Sequence, residues 1–175
     1  MARNPIGKIL EAGTIKKLRA GIKERIPGKG IILDAGSGFR GSWEYQGQKD
    51  IHAIDIIYGD DCTNLMYADD YFNMVVSSGV IQYVKEPEKL FSETHRVLKT
   101  KGLFMITTIN RDSLLRRLGL IKRAVKGSEM QLFTIAEIKE LLERHGFDLM
   151  QEWGADILPV SMSLSSDICF LARKR

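Results

Sequence analysis

The chain has 175 residues, 44% hydrophobic and 27% charged, which suits one globular domain and excludes a disordered chain. No run approaches the roughly 20 apolar residues of a bilayer-spanning helix, and Met1–Leu10 lacks a hydrophobic signal core, so a cytoplasmic protein is expected. Two cysteines (Cys62, Cys169) and three histidines (His52, His95, His145) stand in no disulfide or metal-ligand spacing, and a net charge of +4 is only a mild pointer to an anionic partner.

From Pro5 to Ile26, apolar positions at Ile6, Ile9, Leu10, Leu18, Ile22 and Ile26 predict one amphipathic helix, or two broken at Gly13, stopping at Pro27-Gly28. Gly30–Asp34 is a short apolar run that opens into Ala35-Gly36-Ser37-Gly38, a buried strand feeding a glycine turn. Strands are predicted over Ile51–Ile56 and Met74–Ser78. A helix marked by Leu90, Phe91, Thr94, Val97 and Leu98 follows, ending before Gly102. Leu103–Ile109 reads as a strand. Thr134 and Glu137 form a capping box ahead of Ile138, Leu141 and Leu142, with Gly146 closing that helix. Phe147–Trp153 and Asp167–Ala172 read as the final strands.

Strands alternating with helices predict an α/β fold of the Rossmann-like kind, a mainly parallel sheet with helices on both faces. In such sheets ligands bind beyond the carboxyl ends of the strands, so those loops are the ones to read for chemistry.

Gly36-x-Gly38-x-x-Gly41 matches a dinucleotide fingerprint, with an acid following at Asp55, but glycine turns are common. The surrounding charge discriminates better. A pyrophosphate needs backbone N–H groups and a helix N-terminus free of carboxylates. Here Asp34, Asp55, Asp60 and Asp61 converge on one strand edge. That arrangement repels a diphosphate and suits an ammonium, a sulfonium and ribose hydroxyls, the groups of S-adenosyl-L-methionine. A nicotinamide-dependent oxidoreductase is the disfavoured rival on the same glycine turn.

Leu33-Asp34-Ala35-Gly36-Ser37-Gly38 resembles the first motif of class I S-adenosylmethionine-dependent methyltransferases, and Ala53-Ile54-Asp55-Ile56 resembles their ribose-binding strand end. Residues 61–65 and 69–78 are similar to the adenine loop and following strand of the type 11 group, and Arg96–Leu103 to its helix-to-strand turn. The resemblance runs from about Gly30 to the C-terminus. It implies one methyltransferase domain over residues 1–175, with an N-terminal helical segment (1–28), a lid-like insertion (111–130) and an antiparallel last strand. It also implies that Gly36 and Gly38 approach the methionine moiety of the cofactor and that Asp34 helps hold its ammonium. Asp55 would bond the ribose, Asp61 and the Cys62 backbone would meet the adenine, and Ser78 would line the methyl-donor pocket. For each acid taken singly, the bland alternative is a turn cap or a solvated strand end.

Two departures from the family pattern carry consequences. Five residues, Ile56–Asp60, separate Asp55 from Asp61, whereas a parallel crossover needs about a dozen or more. The helix and strand that usually intervene cannot fit, so the sheet is expected to be trimmed there, with the Asp55 strand at or near an edge. Gln82 and Tyr83 stand where related enzymes often carry an acid and a histidine, so a histidine proton acceptor is missing.

Methyl transfer can rest on holding donor and acceptor in line. Tyr83 is the candidate catalytic residue, as an orienting group or weak acid/base, against the blander reading of a packing aromatic. Asn110 and Arg111 are the candidate substrate-facing groups at a strand end. Over Arg111–Gly127, Leu114, Leu115, Leu118, Ile121 and Val125 fall at helical spacing among Arg116, Arg117, Lys122, Arg123 and Lys126. Such a lid can hold an anionic small molecule, touch acidic lipid as a peripheral membrane contact, or simply present a basic face to water. It has no aromatic residues, which argues against base stacking and hence nucleic acid. A small-molecule or lipid-like acceptor is therefore expected. The remaining rival is a non-catalytic scaffold or partner subunit that keeps the fold and the cofactor.

Overall fold

The computed structural model describes residues 5–38, 50–119, 130–155 and 161–175. In chain order its elements are α1 (Pro5–Arg25), β1 (Ile32–Ala35), β2 (Ile51–Ile54), β3 (Phe72–Ser78), α2 (Pro87–Val97) and β4 (Leu98–Ile109). There follow α3 (Leu114–Arg117), α4 (Ile135–Arg144), β5 (Phe147–Gly154) and β6 (Asp167–Lys174). The six strands form one sheet in the order β2-β1-β3-β4-β6-β5. β1 runs parallel to β2 and β3, β3 parallel to β4, and β6 antiparallel to both of its neighbours. The fold is the mainly parallel α/β sheet that the alternation of elements implies, and β2 stands at its edge, as the short path from Asp55 to Asp61 demands.

Each face of the sheet is covered by helix, because alternate residues of a buried strand point to opposite sides and both sides here are apolar. Leu18 and Ile22 of α1 pack with Ile32, Met74, Val76, Met105, Cys169 and Leu171. On the opposite face Leu90, Phe91 and Val97 of α2, with Ile138, Leu141 and Leu142 of α4, meet Leu33, Val75, Phe104, Ile106 and Phe170. Phe104 lies 5.5 Å edge-on from Phe91 and 5.3 Å from Phe147. Burying each such ring contributes roughly 1.5–3 kcal/mol.

Helix α1 is continuous through Gly13. A single glycine costs about 1 kcal/mol in a helix interior and is tolerated there. Helix α2 ends at Val97, and β4 starts directly at Leu98. The ladder with β3 then skips from Leu98 to Leu103, where Lys101 adopts φ 64°. The capping box at α4 is formed as expected: Thr134 Oγ1 accepts from the Glu137 N–H at 3.2 Å, and Glu137 Oε2 accepts from the Thr134 N–H at 2.7 Å. Of the basic segment, Leu114–Arg117 is a short helix capped by Ser113. Residues 120–129, with Ile121, Lys122, Arg123, Val125 and Lys126, lie outside the described residues, as does Gly41.

Candidate functional site

The carboxyl ends of β1, β2 and β3 open onto a cavity of about 770 Å³, within the ~300–1,000 Å³ usual for small-molecule sites. Gly36 and Gly38 border it, one wall is drawn from Ile54–Ile57 and Asp60–Thr63, and the other from Gly79, Val80 and Tyr83–Glu86. The turn leaving β1 is fastened to β2, since the Gly36 and Ser37 N–H groups both donate to the Ile54 carbonyl, at 2.8 and 3.1 Å. Gly36 has φ 96°, and a β-carbon there would lie 2.0 Å from Val80 Cγ2. Only glycine lets the turn pass this close to the opposite wall.

Asp55 follows β2 and ties three backbone segments together. Its Oδ2 accepts the Gly38 N–H at 2.8 Å, and its Oδ1 accepts the Ile57 N–H at 3.0 Å, capping the 3-10 turn Ile56–Tyr58. Its own N–H donates to Asp60 Oδ2 at 3.2 Å. Asp61 Oδ1 accepts both the Thr63 N–H at 2.8 Å and the Thr63 hydroxyl at 2.7 Å. Those hydrogen bonds hold the Asp61 carboxyl below its ordinary range, hydroxyl first and backbone second. Three aspartates therefore gather on one wall of the cavity, with Lys85 and Glu86 on the other.

Cys62 lines the same cavity, but burial, reinforced by the Asp61 charge, pushes its thiol up to about 11. The nucleophilic form is a thiolate, so at pH 8 iodoacetamide should label Cys62 about a hundredfold more slowly than an ordinary thiol, the rate climbing toward pH 11. Labelling at ordinary speed at pH 8, followed by mass spectrometry of the Cys62 peptide, would contradict this environment. Cys169 is buried in β6 and its thiol is pushed up in the same way.

The remaining sequence-predicted residues separate into two groups. Tyr83 is on the cavity wall and 41% exposed. Asp34 is 5% exposed and lies in register with Val76, whose side chain belongs to the α1-side core, and it is not among the residues lining the cavity. Ser78 lies two residues beyond Val76, with its Oγ 3.1 Å from Thr107 Oγ1, and is likewise off the wall. Arg111 pairs with Glu137 at 3.0 Å.

Asn110, expected to face substrate, is placed in the interior. It is fully buried, its Nδ2 donates to the Ser163 and Ser165 carbonyls at 2.9 and 3.0 Å, and its Oδ1 accepts the Asp112 N–H at 3.0 Å. With its amide spent on three backbone groups, Asn110 is a latch between β4 and the segment before β6 and is not part of the cavity lining. Sequence reasoning missed Val80 and Val84–Glu86 as lining. The same strand-end rule that selected Tyr83 would have found them, because they continue the loop leaving β3. Among the described residues, no cluster of three or more His, Cys, Asp or Glu side chains could hold a metal ion, and no helix is long and apolar enough to cross a membrane.

Comparison with known proteins identifies the family. The family profile described as Methyltransferase domain matches residues 11–152. A protein of Methanocaldococcus jannaschii is 28% identical over 96 residues, a match that covers 54% of this chain and 45% of that relative. The chain thus matches less than half the length of that curated relative. Among solved structures, an S-adenosylmethionine-dependent methyltransferase from Mesorhizobium loti superposes with a TM-score of 0.67 at 16% identity, over 89% of this chain and 96% of that one. The 1,6-didemethyltoxoflavin-N1-methyltransferase of Burkholderia thailandensis, solved with bound 1,6-didemethyltoxoflavin and S-adenosylhomocysteine, gives a TM-score of 0.68 at 19% identity, over 92% of this chain and 78% of that one. With the profile spanning most of its length and the sheet topology described above, the chain belongs to the methyltransferase domain family and has the class I S-adenosylmethionine-dependent methyltransferase fold.

Proposed function

We propose that the protein transfers a methyl group from S-adenosyl-L-methionine to a small-molecule or lipid-like acceptor, mainly by positioning the two. The observation that carries this reading is the convergence of Asp55, Asp60 and Asp61 with the Gly36–Gly38 turn on one cavity. The donor set fits the cofactor. Carboxylates at the end of β2 can accept ribose hydroxyls, the glycine turn leaves room where a β-carbon would stand, and the apolar side chains of Ile56, Ile57 and Val80 can flank a purine. A diphosphate would instead meet negative charge on that edge.

When bound, the cofactor supplies a methyl group already activated by a sulfonium. The chain's own contribution is orientation and exclusion of water. Asp55 and the turn would hold one end of the donor, and Val80, packed against Gly36, sets the distance between the cavity walls. Tyr83 presents a phenol that can orient an acceptor or accept a hydrogen bond from it. With Tyr83 as the candidate acid/base on the wall, catalysis rests on alignment more than on proton transfer. The basic residues Arg116 and Arg117 of α3 suit an acceptor carrying negative charge.

The test is a pair of calorimetric titrations, with S-adenosylhomocysteine and with NADH, followed by transfer of labelled methyl from S-adenosylmethionine into a metabolite and lipid extract. Saturable S-adenosylhomocysteine binding and label in a small-molecule or lipid fraction are expected. Binding of NADH alone would overturn the cofactor reading. Cofactor binding without label in any fraction would make the protein a non-catalytic cofactor-binding scaffold.

A further inference from the structure

Residues 55–71 join β2 to β3 and include one 3-10 turn, Ile56–Tyr58. They cross the sheet face on which Leu65 and Tyr67 enter the α2-side core. An irregular crossover packed on a core leaves backbone groups that need partners from outside it. Helix α2 provides them. Arg96 spends its five N–H donors on this task. Nε donates to Glu93 Oε1 at 2.8 Å, Nη1 to the Tyr67 carbonyl at 2.7 Å and to Asp69 Oδ1 at 2.8 Å, and Nη2 to the Leu65 carbonyl and Glu93 Oε2, both at 2.8 Å. Glu93 Oε2 in turn accepts the Leu65 N–H at 2.8 Å. The Asn64 N–H donates to the Asp61 carbonyl at 3.1 Å, so the pinned residue Leu65 follows directly on the turn that carries Asp61, Cys62 and Thr63 on the cavity wall.

We propose that Arg96, oriented by Glu93, is a positioning residue for the nucleoside end of the site. The pair substitutes for regular secondary structure in holding the crossover, so that the Asp61–Thr63 edge meets the adenine of the cofactor in one fixed register. This rests on the cofactor reading above. The guanidinium geometry is essential to it, because an ammonium has three donors on one point and cannot reach two carbonyls and two carboxylates in a plane.

A held edge discriminates a 6-amino from a 6-oxo purine, whereas a loose one does not. The test compares calorimetric affinities for S-adenosylhomocysteine and S-inosylhomocysteine in the wild type, Arg96→Lys and Glu93→Gln. The wild type should prefer the adenosyl compound. Arg96→Lys should lose about tenfold or more in affinity for it, with the preference collapsing toward parity, and Glu93→Gln should shift both in the same direction. Glu93→Gln is isosteric and serves as the readout should the lysine variant fail to fold. An equal loss for both compounds at unchanged preference, or no loss in either variant, would overturn the proposal. A wild type that binds neither compound would overturn the cofactor reading itself.

Discussion

Replacing Asp55 with alanine should weaken S-adenosylhomocysteine binding by about 2–3 kcal/mol, roughly 30- to 150-fold. The carboxylate accepts N–H groups from Gly38 and Ile57 at 2.8 and 3.0 Å, which aims it along the cavity edge and joins the glycine turn to the β2 end. Alanine removes the acceptor for ribose hydroxyls and also releases both backbone segments. Part of the loss is therefore preorganisation rather than direct contact. Asp55→Asn keeps one acceptor oxygen and should fall between wild type and alanine. Loss of the turn cap alone costs about 1 kcal/mol of stability, so a thermal melt beside the titration separates the two effects. Binding unchanged in Asp55→Ala would remove this residue from the site.

The second large effect is expected at Gly36. A β-carbon there would approach Val80 Cγ2 to 2.0 Å, and the φ of 96° is strained for any residue with a side chain. The β-branched valine has little rotameric freedom with which to retreat. Gly36→Ala should therefore cost about 3 kcal/mol, lowering Tm by roughly 6–12 °C, and should abolish cofactor binding by spreading the two walls. Adding Val80→Ala removes the clash but leaves the backbone strain, so the double variant should recover part of the stability. A single variant that melts like wild type would mean that the turn and the Val80 wall are not in close contact.

Both predictions act on features that differ in how visible they are in the chain. The glycine turn, the acid after the second strand and the Thr134–Glu137 box are local. Residues a few positions apart determine each one, so propensity and spacing reveal them. The α1 stop at Pro27-Gly28 and the existence of β1, β2 and β6 are equally local, although the expected strand ends at Ile56 and Ala172 differ from the observed Ile54 and Lys174. Edge placement of β2 was also legible, from a simple length argument applied to residues 56–60.

Asn110, Asp34 and Ser78 show where that reasoning stops. All three lie at or near strand carboxyl ends, which is where ligands bind, yet a strand end has two faces. The face a side chain occupies depends on register with neighbours far away in sequence. Asn110 meets carbonyls more than fifty residues downstream, and no local pattern encodes that encounter. The Arg96 network has the same character, since its guanidinium reaches carbonyls 29 and 31 residues away.

The chain itself thus determined the class of fold, the order of its elements and the chemistry gathered at the carboxyl edge, because these follow from apolar periodicity and short-range turn geometry. Tertiary structure alone decided which polar side chains reach the cavity and which are consumed as internal latches. That choice is made by hydrogen-bond satisfaction among segments distant in sequence, a condition that exists only once the sheet has closed around its core.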